Sequence, residues 1–126
     1  MNVLIGGDVS PIFDNEDLFV DGNPEKIWGE LYRVFYESNL NIVNLECVLT
    51  ERREHSLKTG MPIKASPLCI KGFKNANISL LGLANNHIMD YGPEGLSDTV
   101  KSIRENGLDC FGAGSNISKA REPYYM

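Results

Sequence analysis

The sequence has 126 residues, of which 42% are hydrophobic, and its formal net charge is −5. A chain of this size buries enough apolar surface to fold as one domain, and its acidic balance without a Lys/Arg-rich face argues against nucleic-acid binding. The sequence lacks a signal-peptide pattern and any window of about 20 apolar residues, so we expect a cytoplasmic protein as the sequence is written.

The cysteines are odd in number, widely spaced and embedded in apolar segments. This pattern predicts buried thiols in a reducing compartment rather than a disulfide or a cysteine metal site. The three residues are Cys47, Cys69 and Cys110.

The first third of the chain predicts a strand, a helix and a second strand. Residues 3–7 are a short apolar run that ends in glycines and Asp8, which is typical of a buried strand. After an acidic loop, residues 24–39 begin with proline and carry apolar side chains at helical spacing, so they predict the first crossover helix. Residues 41–46 predict a second strand, which brings Glu46 to the same end of the sheet as Asp8.

The middle of the chain predicts a loop, a short helix and a third strand. Residues 50–60 show no periodicity and predict a solvated loop, in which His55 is a surface residue. Residues 67–75 predict the second helix. Residues 78–84 form an apolar run that predicts a strand covered on both faces.

The last part of the chain predicts a third helix over residues 93–106, with Leu96, Val100 and Ile103 inward. Gly107 follows as a C-terminal cap. Residues 108–111 predict a fourth strand, and a last helix is expected from Ser118. The resulting β-α-β-α-β-α-β order predicts an α/β fold with a parallel sheet and right-handed connections.

Polar side chains follow the predicted strands directly: Asp8 after the first, Glu46 after the second, and Asn86 and His87 after the third. Parallel strands bring their carboxyl ends to one edge of the sheet, where ligands gather. Carboxylate and amide oxygens suit a divalent metal, and Asp90 is placed to orient His87. The same residues also fit a plain role as turn and helix-cap residues. Asn44 could support the ligands from behind, but it is left outside the predicted ligand set.

Four motifs together resemble the CapA family of bacterial capsule, or poly-γ-glutamate, synthesis proteins. They are Gly7-Asp8, Val43-Asn44-Leu45-Glu46, Leu83-Ala84-Asn85-Asn86-His87-Ile88-Met89-Asp90-Tyr91-Gly92 and Gly112-Ala113-Gly114-Ser115-Asn116. The family is built on the calcineurin-like metallophosphoesterase fold, and the chain is similar to its N-terminal half. The resemblance implies an α/β fold whose parallel βαβ units form half of an αββα sandwich.

The resemblance also implies roles for individual residues. Asp8 would bind one divalent metal (Mn, Zn, Fe or Mg), Glu46 would bridge two, Asn86 would add a ligand, and His87 would act as a general acid oriented by Asp90. The chain departs from the pattern where Ser10 replaces an expected histidine, and the family's later histidine motifs have no counterpart. Many relatives carry a membrane anchor.

The function expected from these residues is hydrolysis or transfer at a phosphate or related ester of an anionic small molecule or polymer. We also expect capsule-synthesis partner proteins and self-association. The alternative is a non-catalytic assembly or polymer-binding component of capsule synthesis, so whether the chain is an enzyme stays open. A third, weaker interpretation is a flavodoxin-like ligand-binding domain, which rests on topology alone.

Overall fold

The core of the structure is a sheet of four parallel strands. The computed structural model describes residues 1–125. The strands of this sheet lie in the order β1 (Val3–Val9), β2 (Leu40–Leu45), β5 (Leu80–Gly82) and β6 (Asp109–Phe111). All three pairings between neighbours are parallel, so the predicted α/β fold is confirmed.

A second, shorter pairing lies beside this sheet. It joins β3 (Val48–Leu49) to β4 (Lys64–Ala65), again in parallel. The predicted loop of residues 50–60 therefore lies between the two strands of a small sheet that was not predicted. The backbone N–H of Leu49 donates to the buried Thr99 hydroxyl at 2.9 Å, which ties this sheet to the long helix.

The first predicted helix is wrong in its extent. Residues 24–39 form two helices, because Gly29 leaves the helical conformation with φ of 55° and ends the first of them. The acidic loop before them contains a further helix, which ends at Gly22 with φ of 74°. The helices are α1 (Glu16–Asp21), α2 (Pro24–Trp28), α3 (Leu31–Glu37), α4 (Ile70–Asn75), α5 (Gly92–Glu105) and α6 (Ile117–Ala120), with 3₁₀ turns at Phe13–Asn15 and Pro67–Cys69.

The long helix α5 follows the prediction closely. Leu96 and Ile103 are buried, and Val100 packs partly buried against the same core. Gly107 follows the helix with φ of 79°, a left-handed conformation that glycine adopts without a steric penalty.

The strand order decides which face of the sheet is covered. Successive strands always add on the same side, and right-handed connections then place every crossover on one face. The opposite face is uncovered at β1, where Val3 is 43% exposed and Ile5 is 75% exposed, whereas Leu80 in β5 is 2% exposed. Within residues 1–125, no helix is long and apolar enough to span a bilayer. The buried core on the helical face consists of Phe19, Phe35, Val43, Leu45, Cys47, Leu49, Ala65, Cys69, Ile70, Phe73, Ala76, Ile78, Leu81, Leu83, Ile88, Leu96, Ile103 and Leu108.

Candidate functional site at the carboxyl ends of the strands

A bulge in β1 turns Asp8 toward its neighbour strand. Ile5 pairs with Ile42, but Asp8 pairs with Asn44, so β1 holds one extra residue over this stretch. Side chains alternate between faces along a strand, so without the extra residue Asp8 would point into the core. With it, the Asn44 amide donates to Asp8 Oδ1 at 2.6 Å. At Gly6, beside the bulge, an added Cβ would lie 3.0 Å from Val43 Cγ1, so this position has little room for a side chain.

Asn85 extends this network onto the next strand. Its side-chain amide donates to Asn44 Oδ1 at 3.2 Å and to the Leu45 carbonyl at 2.9 Å, and its Oδ1 accepts from the backbone N–H of His87 at 3.0 Å. Asp8, Asn44 and Asn85 therefore form a hydrogen-bonded row across three adjacent strand ends. The predicted ligand Asn86 lies outside this row with an exposed side chain.

Glu46 reaches the same edge of the sheet through its backbone. Its N–H donates to the Val9 carbonyl at 3.0 Å, and its own carbonyl accepts from the Ser10 hydroxyl at 2.9 Å. These bonds fix the start of the loop after β2 against the end of β1. The Glu46 side chain is half-buried there.

His87 is partly exposed and bonded to Asp90, as predicted. His87 Nδ1 lies 2.8 Å from Asp90 Oδ2, and the His87 side chain is 20% exposed. An ionised carboxylate only accepts hydrogen bonds, so the ring hydrogen of a neutral His87 sits on Nδ1. Nε2 is then the unprotonated nitrogen, free to exchange a proton with a ligand.

Asp90 is almost fully buried, at 1% exposure, and Lys58 supplies its counter-charge. Burial by itself would raise the pKa of Asp90, but hydrogen bonds from Lys58, His87 and the backbone N–H of Ile63 outweigh it, so the pKa lies below its ordinary value. Asp90 therefore stays ionised beside His87 at neutral pH.

The contact between Lys58 and Asp90 corrects the prediction of a plain solvated loop over residues 50–60. The Lys58 side chain is only 22% exposed, although His55 does lie at the surface as expected. Asn85 and Lys58 were not predicted as site residues, and Asn44 was considered only as a possible support for the ligands. The pairing of Asn44 with Asp8 depends on the extra residue in β1, which has no local sequence signal. Lys58 also carries no local signal, because it lies 32 residues from Asp90 in the sequence.

The cysteines take no part in this site. None of the three is paired, and Cys47 and Cys69 are buried. Burial raises the pKa of the Cys69 thiol to about 12 and also raises the pKa of Cys47. The prediction of buried thiols is confirmed for Cys47 and Cys69, whereas Cys110 is partly exposed.

These observations define an α/β protein with polar side chains gathered at the carboxyl ends of parallel strands, where such folds bind ligands. The chain belongs to the family described as bacterial capsule synthesis protein PGA_cap, whose model matches residues 2–126. The resemblance to capsule synthesis proteins is thereby confirmed.

Individual relatives agree with this assignment. The chain is 36% identical over 81 residues to the capsule biosynthesis protein CapA of Bacillus anthracis, covering 63% of this chain and 20% of that protein. It is 32% identical over 114 residues to the PGA biosynthesis protein CapA of Bacillus subtilis, covering 90% and 24%. A "probable polyglutamine synthesis accessory protein" of Mycobacterium tuberculosis is 30% identical over 96 residues, covering 75% and 25%. The chain thus spans between 20% and 25% of the length of these relatives.

Proposed function

We propose that this chain acts in capsule or poly-γ-glutamate synthesis by contributing part of a divalent-metal site for hydrolysis or transfer at a phosphate or related ester. One observation carries the proposal: the carboxylates Asp8 and Glu46 share one edge of the sheet with a histidine whose Nδ1 is held by a buried aspartate. Such chemistry needs carboxylates to bind the metal, a general acid, and a sheet edge that a substrate can reach.

The donor atoms available fit a hard cation that keeps much of its water. Asp8, Glu46 and Asn86 offer only oxygen atoms, which suit Mg or Mn better than Zn. In the part of the chain that the structure describes, no three His, Cys, Asp or Glu side chains are grouped closely enough to hold a metal ion. We therefore expect weak binding, with water completing the coordination.

The chemistry would divide between the metal and His87. A bound divalent ion would supply Lewis-acid activation of the ester and of an attacking water. His87, held through Nδ1, would in its doubly protonated form donate the Nε2 hydrogen to the leaving oxygen of an anionic substrate and return to the neutral Nδ1–H form. Asp90 would keep the imidazole in the orientation that presents Nε2.

A second function is favoured by the hydrogen bonds inside the site. Asp8, Asn44 and Asn85 bond to one another, and such mutual bonds stabilise strand ends without any ligand. This arrangement suits a non-catalytic assembly or polymer-binding component of capsule synthesis. A test of metal binding separates the two functions, because an assembly component does not need a metal at this edge.

Mn²⁺ titration followed by NMR line broadening provides that test, since paramagnetic broadening maps even weak sites. We expect broadening to centre on the backbone signals of residues 8, 46 and 86, and Glu46→Gln should reduce it. Glu37→Gln makes the same change at an exposed glutamate just before β2, at the opposite end of the sheet, and should leave the broadening unchanged. Broadening scattered over all surface carboxylates would contradict the metal site.

Hydrolysis of diphenyl phosphate in the presence of Mn²⁺ tests the chemical step, because its phenolate leaving oxygen is basic enough to benefit from protonation. His87→Ala should lower turnover by about a hundredfold or more while leaving Mn²⁺ binding largely intact, because loss of a general acid costs about 10²–10⁴ in rate. Equal turnover of the variant and the wild type would exclude His87 as the acid, whereas absence of turnover in the wild type would favour the assembly function.

A further inference from the structure

The segment of residues 51–63, here called the strap, lies against the turn that carries His87. The backbone N–H of Ser56 donates to the Asp90 carbonyl at 2.8 Å, and the Ser56 hydroxyl donates to the Met89 carbonyl at 2.9 Å. The N–H of Ile63 donates to Asp90 Oδ2 at 2.9 Å. The strap therefore contacts both the backbone and the side chain of the turn.

Lys58 is the charged contact between the strap and this turn. Its ammonium group donates to Asp90 Oδ1, donates to the Asn86 carbonyl at 3.4 Å, and lies 3.5 Å from His87 Nδ1. An ammonium group has three hydrogens, and Lys58 Nζ has protein atoms on three sides. The geometry suits the positioning of other groups, since two of the three ammonium hydrogens are donated to Asp90 and to the Asn86 carbonyl.

The contact with His87 is indirect. The Lys58 ammonium and the Nδ1–H group of His87 are both donors, so they do not bond to each other; they donate to different oxygens of the same Asp90 carboxylate. A buried carboxylate needs a compensating cation, because an unpaired charge at 1% exposure is costly. Lys58 is therefore needed to keep Asp90 ionised, and it is the ionised Asp90 that holds the His87 ring.

We propose that Lys58 is a positioning residue for His87. Through Asp90 and the Asn86 carbonyl it holds the turn in the form in which the His87 ring hydrogen stays on Nδ1 and Nε2 stays available. The expected effect on catalysis rests on the proposed function, whereas the effect on the imidazole does not.

The direct test is NMR of the imidazole nitrogens. The chain has two histidines, so the exposed His55 is replaced in a His55→Gln background and a single ring remains. Long-range ¹H–¹⁵N spectra at about pH 8, above the usual histidine pKa of about 6.5, show which nitrogen carries the hydrogen. We expect a single Nδ1–H form in the wild type and a mixture of both forms in Lys58→Met.

Matched variants separate positioning from general loss of structure. Lys101→Met makes the same change at a lysine that is 70% exposed on α5 and should keep the single Nδ1–H form. Lys58→Arg keeps the positive charge and should restore that form at least in part, whereas Lys58→Gln should not. If Lys58→Met does not fold, Lys58→Gln carries the same expectation. A single Nδ1–H form in a folded Lys58→Met or Lys58→Gln variant would overturn the proposal.

Kinetics then distinguishes this proposal from the proposed function. If the wild type hydrolyses the phosphodiester, Lys58→Met should lower kcat by about tenfold or more with little change in KM, because misplacing a catalytic group costs rate rather than binding. A raised KM with unchanged kcat would contradict positioning and indicate direct substrate contact. If no hydrolysis occurs, the proposed catalytic function fails, and the imidazole spectra alone decide the role of Lys58.

Discussion

Replacing Asp90 by alanine should cost far more stability than its position in a surface turn suggests. The carboxylate is 1% exposed and accepts hydrogen bonds from Lys58, His87 and the Ile63 backbone. Asp90→Ala leaves all three donors without this partner. The loss of stability should therefore come from hydrogen-bond donors left without an acceptor and not from lost apolar packing.

The magnitude can be worked from two of these donors. An unsatisfied buried N–H such as that of Ile63 costs about 1–3 kcal/mol. Breaking a buried ion pair costs about 3–5 kcal/mol, but the Lys58 side chain keeps 22% of its surface exposed and can turn toward water, so its share is smaller. We expect a loss of about 3 kcal/mol in unfolding free energy, which for a domain of this size lowers Tm by about 10 °C.

Urea unfolding followed by circular dichroism measures this loss. The control is Asp109→Ala, because Asp109 is an exposed strand residue that accepts one hydrogen bond from Tyr124, at 3.2 Å. The control should change stability by only about 0.5 kcal/mol. In a double-mutant cycle, Lys58→Met and Asp90→Ala should show a coupling energy of at least about 1 kcal/mol. An Asp90→Ala variant no less stable than Asp109→Ala would refute the reasoning.

Three further outcomes follow from the structure. The pKa of Asp90 is lower in the folded state than its unfolded value of about 3.9, so ionised Asp90 stabilises the fold above that value, and this stabilisation is lost as pH falls through the folded pKa. The unfolding free energies of wild type and Asp90→Ala should therefore converge in acid. A difference that stays constant with pH would contradict this. Gly112 has φ of 88°, and an added Cβ would lie 2.9 Å from Ala84 Cβ, so Gly112→Ala should lower the free energy of unfolding by about 2 kcal/mol, as measured by thermal denaturation. In the control Gly7→Ala the added Cβ meets nothing within 4 Å, so stability should hardly change. The exposed apolar surface around Ile5, which is 75% exposed, should cause self-association, and Ile5→Lys should lower the molar mass measured by light scattering. A monomeric wild type would show that this surface does not associate.

The elements that could be predicted from sequence are those whose apolar pattern is continuous. The four main strands and the long helix α5 were found because each has an apolar run, an alternating pattern or a helical stripe, with glycine, proline or polar residues at its ends. The break at Gly29 was missed because apolar residues recur at helical spacing on both sides of it. Only the backbone, with φ of 55° at that glycine, shows two helices instead of one.

The candidate site also has a part that sequence predicted and a part that it did not. Parallel topology follows from the alternation of strands and helices, so sequence alone was enough to bring Asp8, Glu46 and the Asn-Asn-His turn to one edge of the sheet. The contact between His87 and Asp90 was also accessible, because the two residues are three positions apart in one turn.

Tertiary structure decided the rest, and the physical reason is that these contacts depend on register and long-range packing. The extra residue in β1 determines that Asp8 faces Asn44 and not the core, and no local pattern reports a strand's register. Lys58 meets Asp90 only because β3 and β4 pair and bring the strap back across the turn. A buried carboxylate must find a cation somewhere in the fold, but sequence does not say which lysine supplies it.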